Sequence, residues 1–161
     1  MIALVTGGAS SGKSAFAEGL ALSLPGPHVY AATMRHGDAE TEARIARHRE
    51  MRAGKGFDTV ELAGMQSADS AARLPVAGTV LLEDLSNLVV NDCAHLLPNV
   101  LASDNVVVVA NEIGSDGARY DAFTCDFIEQ LGALACGIAA RADLVVEVVA
   151  GLPYVVKGEL P

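Results

Sequence analysis

Short runs of β-branched and apolar residues alternate along the chain with longer stretches whose apolar positions recur at helical spacing. IALVT leads through a glycine turn into a helix to about Ser23, HVYAAT into DAETEARIARHREMRA, and DTVEL into SADSAARL. The rhythm continues through TVLLEDL, one helix over SNLVVNDCAHLL, NVVVVANE, a helix through FIEQLGALACGIAARA, and LVVEVV. Runs such as VVVVA lack in/out alternation, the mark of strands covered by helices on both faces. The pattern therefore predicts an α/β fold with a mostly parallel sheet flanked by helices. In VVAGLPYVVKG only Gly-Leu-Pro separates two apolar runs, too little for a helical crossover, so a C-terminal antiparallel edge strand is expected. No repeat or linker interrupts the alternation, and residues 1–161 read as one domain. Gly54 to Gly56 read as the most mobile loop.

Charge narrows the possible partners. Lysine and arginine number 11 against 20 acidic residues, a net charge of -9, which argues against a nucleic-acid partner. Any phosphate must be gripped locally. Cys93, Cys125 and Cys136 fit neither a disulfide framework nor a metal knuckle and read as buried thiols in a reducing cytoplasm. Gly7 and Gly8 break the N-terminal apolar run, and no stretch approaches the roughly 20 unbroken apolar residues of a membrane span. A soluble cytoplasmic protein is expected. His28, His36 and His95 lack metal-ligand spacing, whereas Leu131, Leu134 and Ile138 follow core spacing.

Within this architecture Gly7, Gly8, Ala9, Ser10, Ser11, Gly12, Lys13 and Ser14 form the G-x-x-x-x-G-K-S pattern of a P-loop, between a strand and a helix. Its glycines free backbone N–H groups to surround phosphates, and the helix N-terminus adds its positive dipole end. Lys13 then reaches the β and γ phosphates of ATP or GTP, and the Ser14 hydroxyl ligates Mg²⁺. An acid at the end of a neighbouring buried strand completes the magnesium shell. Glu83 and Asp84, closing TVLLED, can each fill that role or cap the next helix.

A second constellation lies on the helix from Asp38 to about Ala53. Arg44, His48 and Arg52 recur at i, i+4 and i+8 and are expected to share a face. Two guanidiniums beside an imidazole can clamp phosphates and keep the ring neutral and nucleophilic, suited to carrying a nucleotidyl group. The same spacing also describes a solvated helix face.

VTGGASSGKS, VYAATMRHGDAETEARIARHREMR, LLEDLSNLVVN, VANEIG and VAGLPYVVKG resemble, in order and spacing, the bifunctional cobinamide kinase/cobinamide-phosphate guanylyltransferase family of cobalamin synthesis. The resemblance spans nearly the whole chain and rests most on Arg44-Ile45-x-x-His48, Asn111 to Gly114 and the closing Gly-x-Pro hairpin. It implies a RecA-like P-loop NTPase fold, usually a homotrimer, acting on the corrinoid adenosylcobinamide with GTP and possibly ATP. It places His48 at the guanylyl-histidine and Arg49, Glu50, Met51 and Arg52 at GTP contacts. Ala32, Thr33 and Met34 form a further nucleotide contact, with Glu61 and Glu83 as acidic positions near the nucleotide. Glu83 rather than Asp84 takes the family's strand-end position.

The chain departs from the family where Ser10 replaces the P-loop arginine, Ala53 follows Arg52 in place of proline, and Ala135 replaces an asparagine. After Gly114 the family's proline-glutamate-asparagine string and later arginines are missing. Three functions follow from these patterns. They are the two-step kinase and guanylyltransferase, a small-molecule P-loop kinase alone, and a non-catalytic nucleotide-binding partner.

Overall fold

A computed structural model describes the backbone of all 161 residues and every side chain except those of Met51 and Ala71. The elements run β1 (Ile2–Gly7), α1 (Lys13–Ser23), β2 (His28–Ala32), α2 (Ala39–Arg52), β3 (Phe57–Glu61), α3 (Ser67–Arg73) and β4 (Thr79–Glu83). There follow α4 (Leu85–Val90), α5 (Leu97–Val100), β5 (Asn105–Asn111), α6 (Ala122–Arg141), β6 (Leu144–Val149) and β7 (Leu152–Lys157). The strands form one sheet in the order β3-β2-β4-β5-β1-β6-β7, parallel except for the antiparallel β6–β7 pair. This is the expected α/β P-loop fold with its antiparallel edge.

One expectation of neighbourhood changes. The acid-bearing β4 does not pair with β1; β5 lies between them, as in RecA-like sheets. Strand order is set by crossovers that a hydrophobicity pattern does not encode. Because the central strands are parallel, the C-terminal ends of β1, β4, β5 and β2 open onto one edge, where ligands of such sheets bind.

The apolar runs are buried on both faces. Ala3, Val5, Leu81, Val107, Val109, Val146 and Val148 pack beneath α1 with Ala17, Leu20 and Ala21. Leu4, Val80, Leu82, Val106 and Val108 pack on the other side against Leu85, Leu88, Leu96, Leu131 and Ile138. Helix α2 is different in kind. Ile45 and Arg52 are the only two of its described side chains that are fully buried, so it lies over the sheet edge with few anchors.

The expected single helix over SNLVVNDCAHLL is broken. Helix α4 stops at Val90, Asp92 takes a positive φ of 54°, and the Cys93 N–H donates to the Leu88 carbonyl at 2.8 Å. The Asn91 side chain meanwhile donates to the Thr33 carbonyl at 2.8 Å, a tertiary bond that fixes the break. A 3-10 turn, Ala94–Leu96, resumes the path. Only Cys93 of the three thiols is buried; Cys125 and Cys136 are exposed, because α6 packs one narrow stripe onto the sheet. That helix is long and apolar enough by length and composition to cross a membrane, yet it carries Asp126 and Glu129 and buries Leu131 and Ile138 in the core.

The β6–β7 edge leaves Val149, Leu152, Tyr154 and Val156 exposed. Its turn reaches the phosphate loop, where the Gly151 N–H donates to the Ser11 carbonyl at 2.8 Å.

Leu82 is fully buried on the α6 side of the sheet. Leu82→Ala is expected to cost about 2–5 kcal/mol of unfolding free energy, read by urea denaturation, and a cost below about 1 kcal/mol would contradict a close-packed layer there.

Candidate active site

The P-loop is shaped by what its glycines leave out. At Gly7, φ is 154° and a Cβ would lie 2.5 Å from the Val148 carbonyl oxygen; at Gly12, φ is 92° and a Cβ would meet Gly151 Cα at 3.2 Å. Only glycine lets the loop run this close to β6 and the β6–β7 turn. Lys13 opens α1 with 6% of its surface exposed, its Nζ donating to the Gly8 carbonyl at 3.0 Å. Burial lowers its pKa, and the charges of Asp84 and Glu83 oppose that shift. Ser11 Oγ is buried without a hydrogen-bond partner among the described residues. A buried ammonium with a single carbonyl partner and an orphaned hydroxyl are what a phosphate group would satisfy.

Glu83 and Asp84, equivalent in the sequence, divide their work. The Ser14 hydroxyl donates to Glu83 Oε1, and the Tyr30 hydroxyl donates to Oε2 at 3.2 Å. Asp84 borders the same cleft but turns its carboxylate to α4, accepting from Asn87 N at 2.8 Å and capping that helix. It also accepts from Ser86 Oγ at 2.6 Å and Asn111 Nδ2 at 2.7 Å. Helix capping thus belongs to Asp84 and the P-loop contact to Glu83. Thr33 Oγ1 accepts from Asp84 N at 2.7 Å and faces the carbonyls of Glu83 and Asp84 at 2.8 and 2.9 Å, pinning this strand end to β2.

Helix α2 starts at Asp38, which accepts from Thr41 N at 2.8 Å. It brings His48 over the sheet edge, half-buried, with Nδ1 3.9 Å from Glu83 Oε1. Arg44, Arg47 and His48 face Ala9 to Ser14 across a cleft of about 420 Å³ floored by Glu83, Asp84 and Asn111. Arg52 is elsewhere, contrary to the shared face expected from its spacing. Eight residues rotate a helix about 80° past two full turns, enough to carry it off the cleft. Its guanidinium stacks 3.3 Å from the Tyr30 ring centroid, and Nη1 is buried without a partner among the described residues. Burial, then the Glu83 charge, raises the Tyr30 pKa, so the phenol stays protonated and donates to that carboxylate.

A second, narrow cleft lies between α2 and β2–β3. It is lined by Tyr30, Ala32, Thr33, Met34, Ile45 and Glu61 together with His48, Arg49 and Arg52. Arg49 pairs with Glu61 at 2.5 Å. Past α2, Lys55 Nζ reaches the buried Glu18 carboxylate of α1 at 2.5 Å, which ties the Gly54 to Gly56 loop down.

The expected residues therefore sort into two groups joined at His48 and Glu83. Gly7 to Ser14 surround the first cleft; Ala32, Thr33, Met34, Arg49, Arg52 and Glu61 border the second. Glu50 is exposed and lines neither, and the Met51 side chain lies outside the described residues. Arg47, Tyr30 and Asn111 were not among the expected site residues. Arg47 carries a signal, one position before the histidine on the strip facing the loop, and Asn111 ends a strand beside the loop.

Two comparisons with known proteins bear on this site. Residues 3–156 match the family model described as cobinamide kinase / cobinamide phosphate guanyltransferase. The chain is also 34% identical to the bifunctional adenosylcobalamin biosynthesis protein CobP of Pseudomonas aeruginosa, over 97% of each protein.

The link between β2 and α2 is held by charge. His36 Nδ1 lies 2.9 Å from Glu42 Oε1 and its Nε2 3.3 Å from Glu61 Oε2, with Arg49 on the same Glu61. The hydrogen bond to Glu42, then that residue's charge, raises the His36 pKa; the same bond lowers the Glu42 pKa. A raised histidine pKa contributes stability that is lost as pH rises through it, and a depressed carboxylate contributes stability that is lost as pH falls through it. The clamp is therefore complete between the lowered Glu42 pKa and the raised His36 pKa. An NMR titration is expected to place His36 above the ordinary value near ~6.5, falling toward it in Glu42→Gln; an ordinary or lower value in the native protein would refute the clamp.

Proposed function

The chain belongs to the cobinamide kinase / cobinamide phosphate guanyltransferase family and is a bifunctional enzyme of cobalamin biosynthesis, and we propose that both reactions run between the P-loop and α2, with His48 carrying the guanylyl group. One observation supports this most directly: His48 and the P-loop Ser14 approach the same oxygen of Glu83. In the kinase step the triphosphate of ATP or GTP lies along Gly7 to Ser14, with Lys13 against the β and γ phosphates. The cobinamide hydroxyl oxygen bonds to the γ phosphorus as its bridging bond to the β phosphate breaks. A nucleoside diphosphate leaves and the hydroxyl proton is released. In the transferase step a ring nitrogen of His48 attacks the α phosphorus of GTP and expels pyrophosphate; a phosphate oxygen of cobinamide phosphate then takes the GMP and frees the ring. Arg44 and Arg47, rather than Arg52, are the guanidiniums that neutralise phosphate charge in this cleft.

The Ser14 hydroxyl and Glu83 carboxylate are hard oxygen donors meeting beside the phosphate site, a set that fits Mg²⁺. When bound there, Mg²⁺ supplies charge neutralisation at phosphate oxygens. Unpaired Cys93, Cys125 and Cys136 accord with a reducing cytoplasm. The homotrimer implied by the family resemblance would assemble through the β6–β7 edge, where Val149, Leu152, Tyr154 and Val156 leave an exposed apolar face.

With GTP labelled at the α phosphate, the wild type is expected to retain label through denaturation, and His48→Asn is expected to lose it while still binding nucleotide. Lys13→Ala is expected to weaken GTP binding by at least about tenfold in calorimetry without loss of fold. A wild type that transfers γ-phosphoryl groups yet never takes α label would leave a kinase alone. Sedimentation tests assembly: Tyr154→Glu is expected to shift a trimer to monomers, and an unchanged trimer would place the interface elsewhere.

A further inference from the structure

Asn111 borders two cavities. One is the P-loop cleft; the other is a groove of about 240 Å³ on the opposite layer of the sheet, between the ends of β1 and β5 and the middle of α6. Its floor is closed by the buried side chains of Leu4, Ala110 and Leu131. Its walls are apolar too, yet Ile113 is 38% exposed and Ile128 and Ala135 are partly exposed. Two glycines shape it. At Gly114 φ is 91° and a Cβ would lie 3.1 Å from Ile128 Cδ1, so a larger residue would push the segment after β5 away from α6. On the facing wall Gly132 stands in mid-helix, an unfavourable place for glycine, and a Cβ there would meet no neighbouring atom within 4 Å. Packing does not require that glycine, and its missing side chain widens the groove.

The groove ends at the P-loop. Gly7 and Asn111 pair across β1 and β5, and the Glu112 N–H donates to the Gly7 carbonyl at 3.0 Å. Asn111 Nδ2 is committed to Asp84 Oδ2 at 2.7 Å and Ser86 Oγ at 2.8 Å, which fixes the amide and leaves Oδ1 without a partner among the described residues. Adjacent strands lie about 4.8 Å apart, so this free acceptor stands one strand spacing from the start of the phosphate loop.

We propose that the groove seats the phosphoryl acceptor: one edge of cobinamide lies against Ile113, Ile128 and Gly132, and its hydroxyl arm passes Asn111 to reach the γ phosphate. The inference rests on phosphoryl transfer taking place in the P-loop cleft. A corrin macrocycle does not fit in a cleft that already holds a triphosphate, so the ring must lie outside with only its arm within. A groove of this volume takes an edge of the ring, and apolar walls suit the methyl groups along that edge. The exposed Glu112 carboxylate on the rim can accept the N–H groups of the ring's amide arms, and Asn111 Oδ1 can accept the O–H of the reacting hydroxyl. Holding that oxygen against the loop supplies the orientation an in-line displacement needs. The cleft between α2 and β2–β3 is the other cavity that shares residues with the P-loop cleft, and it opens on His48 and Glu83 but not on Asn111.

The native protein carries its own probes in five isoleucines, of which Ile113 and Ile128 line the groove and Ile45 lines the cleft under α2. With ¹³C-labelled isoleucine δ1 methyls, saturating cobinamide in its diamagnetic cobalt(III) form is expected to shift Ile113 and Ile128 and to leave Ile2 in place. Shifts at Ile45 without shifts at Ile113 and Ile128 would bring the acceptor in under α2 and overturn the proposal. Gly132→Leu fills the groove from a helix position where it meets no protein atom. It is expected to raise the KM for cobinamide in phosphoryl transfer by at least about tenfold, while α label from GTP, which needs no acceptor, still forms on His48. An unchanged KM overturns the proposal, as does a dimer or trimer that Gly132→Leu dissociates, since a second copy would then occupy the groove. A wild type that transfers no phosphoryl group to cobinamide defeats the P-loop reading instead, and the methyl shifts still decide whether cobinamide sits in the groove.

Discussion

A carboxylate buried at the mouth of a parallel sheet is costly unless its oxygens are hydrogen-bonded, and the site of this protein is organised around meeting that requirement for Glu83. Ser14 from the P-loop helix and Tyr30 from β2 each satisfy one oxygen. Lys13 is buried nearby and Arg52 stacks on Tyr30, so cations from two helices surround the same charge. Those partners come from α1, α2 and β2, which meet the end of β4 only if the crossovers between them are all in place. Fold and site are in this sense one constraint: the strand order that puts β5 between β4 and β1 also brings Asn111, at the end of β5, onto Asp84 and Ser86 beside the loop.

Charge is distributed to match. The chain is acidic overall, yet Arg44, Arg47, Arg49 and Arg52 supply four of its 11 basic residues from one helix. Of these, Arg44 and Arg47 face the cleft and give an otherwise acidic body a local positive wall toward polyphosphates. This also bears on the departures from the family pattern. Ser10 lacks the family's arginine, but Arg47 faces the same cleft from the opposite wall, so the cationic lining is not lost with that residue.

What could be read from the sequence was whatever depends on local periodicity. The Gly7 to Ser14 loop, the doubly covered run of Val106 to Val109, the Asp38 cap and the closing antiparallel edge are all consequences of residues near each other in the chain. What could not be read depends on meetings across the fold. The break after Val90 is fixed by Asn91 reaching Thr33, a partner 58 residues away. Arg52 looks like a member of the histidine face until helical drift over two turns is weighed against the position of Tyr30. Glu83 and Asp84 are chemically near-identical neighbours, and only the layers on either side of β4 tell them apart. Cys125 and Cys136 carry an apolar signature, yet the stripe that α6 commits to the core is too narrow to include them.

The split between Glu83 and Asp84 also means that β4 is read by parity. Leu81 and Glu83 belong to the layer of the P-loop helix, Val80 and Leu82 to the layer of α4 and α6, and Asp84, just past the strand, caps α4. Deleting one residue from this strand would not weaken the site by degrees; it would exchange the two frames. The acid presented to Ser14 would then be the aspartate, one methylene shorter, while the glutamate would be carried toward the α4 layer and the strand's leucines would change sides. β4 therefore tolerates insertions and deletions only in pairs.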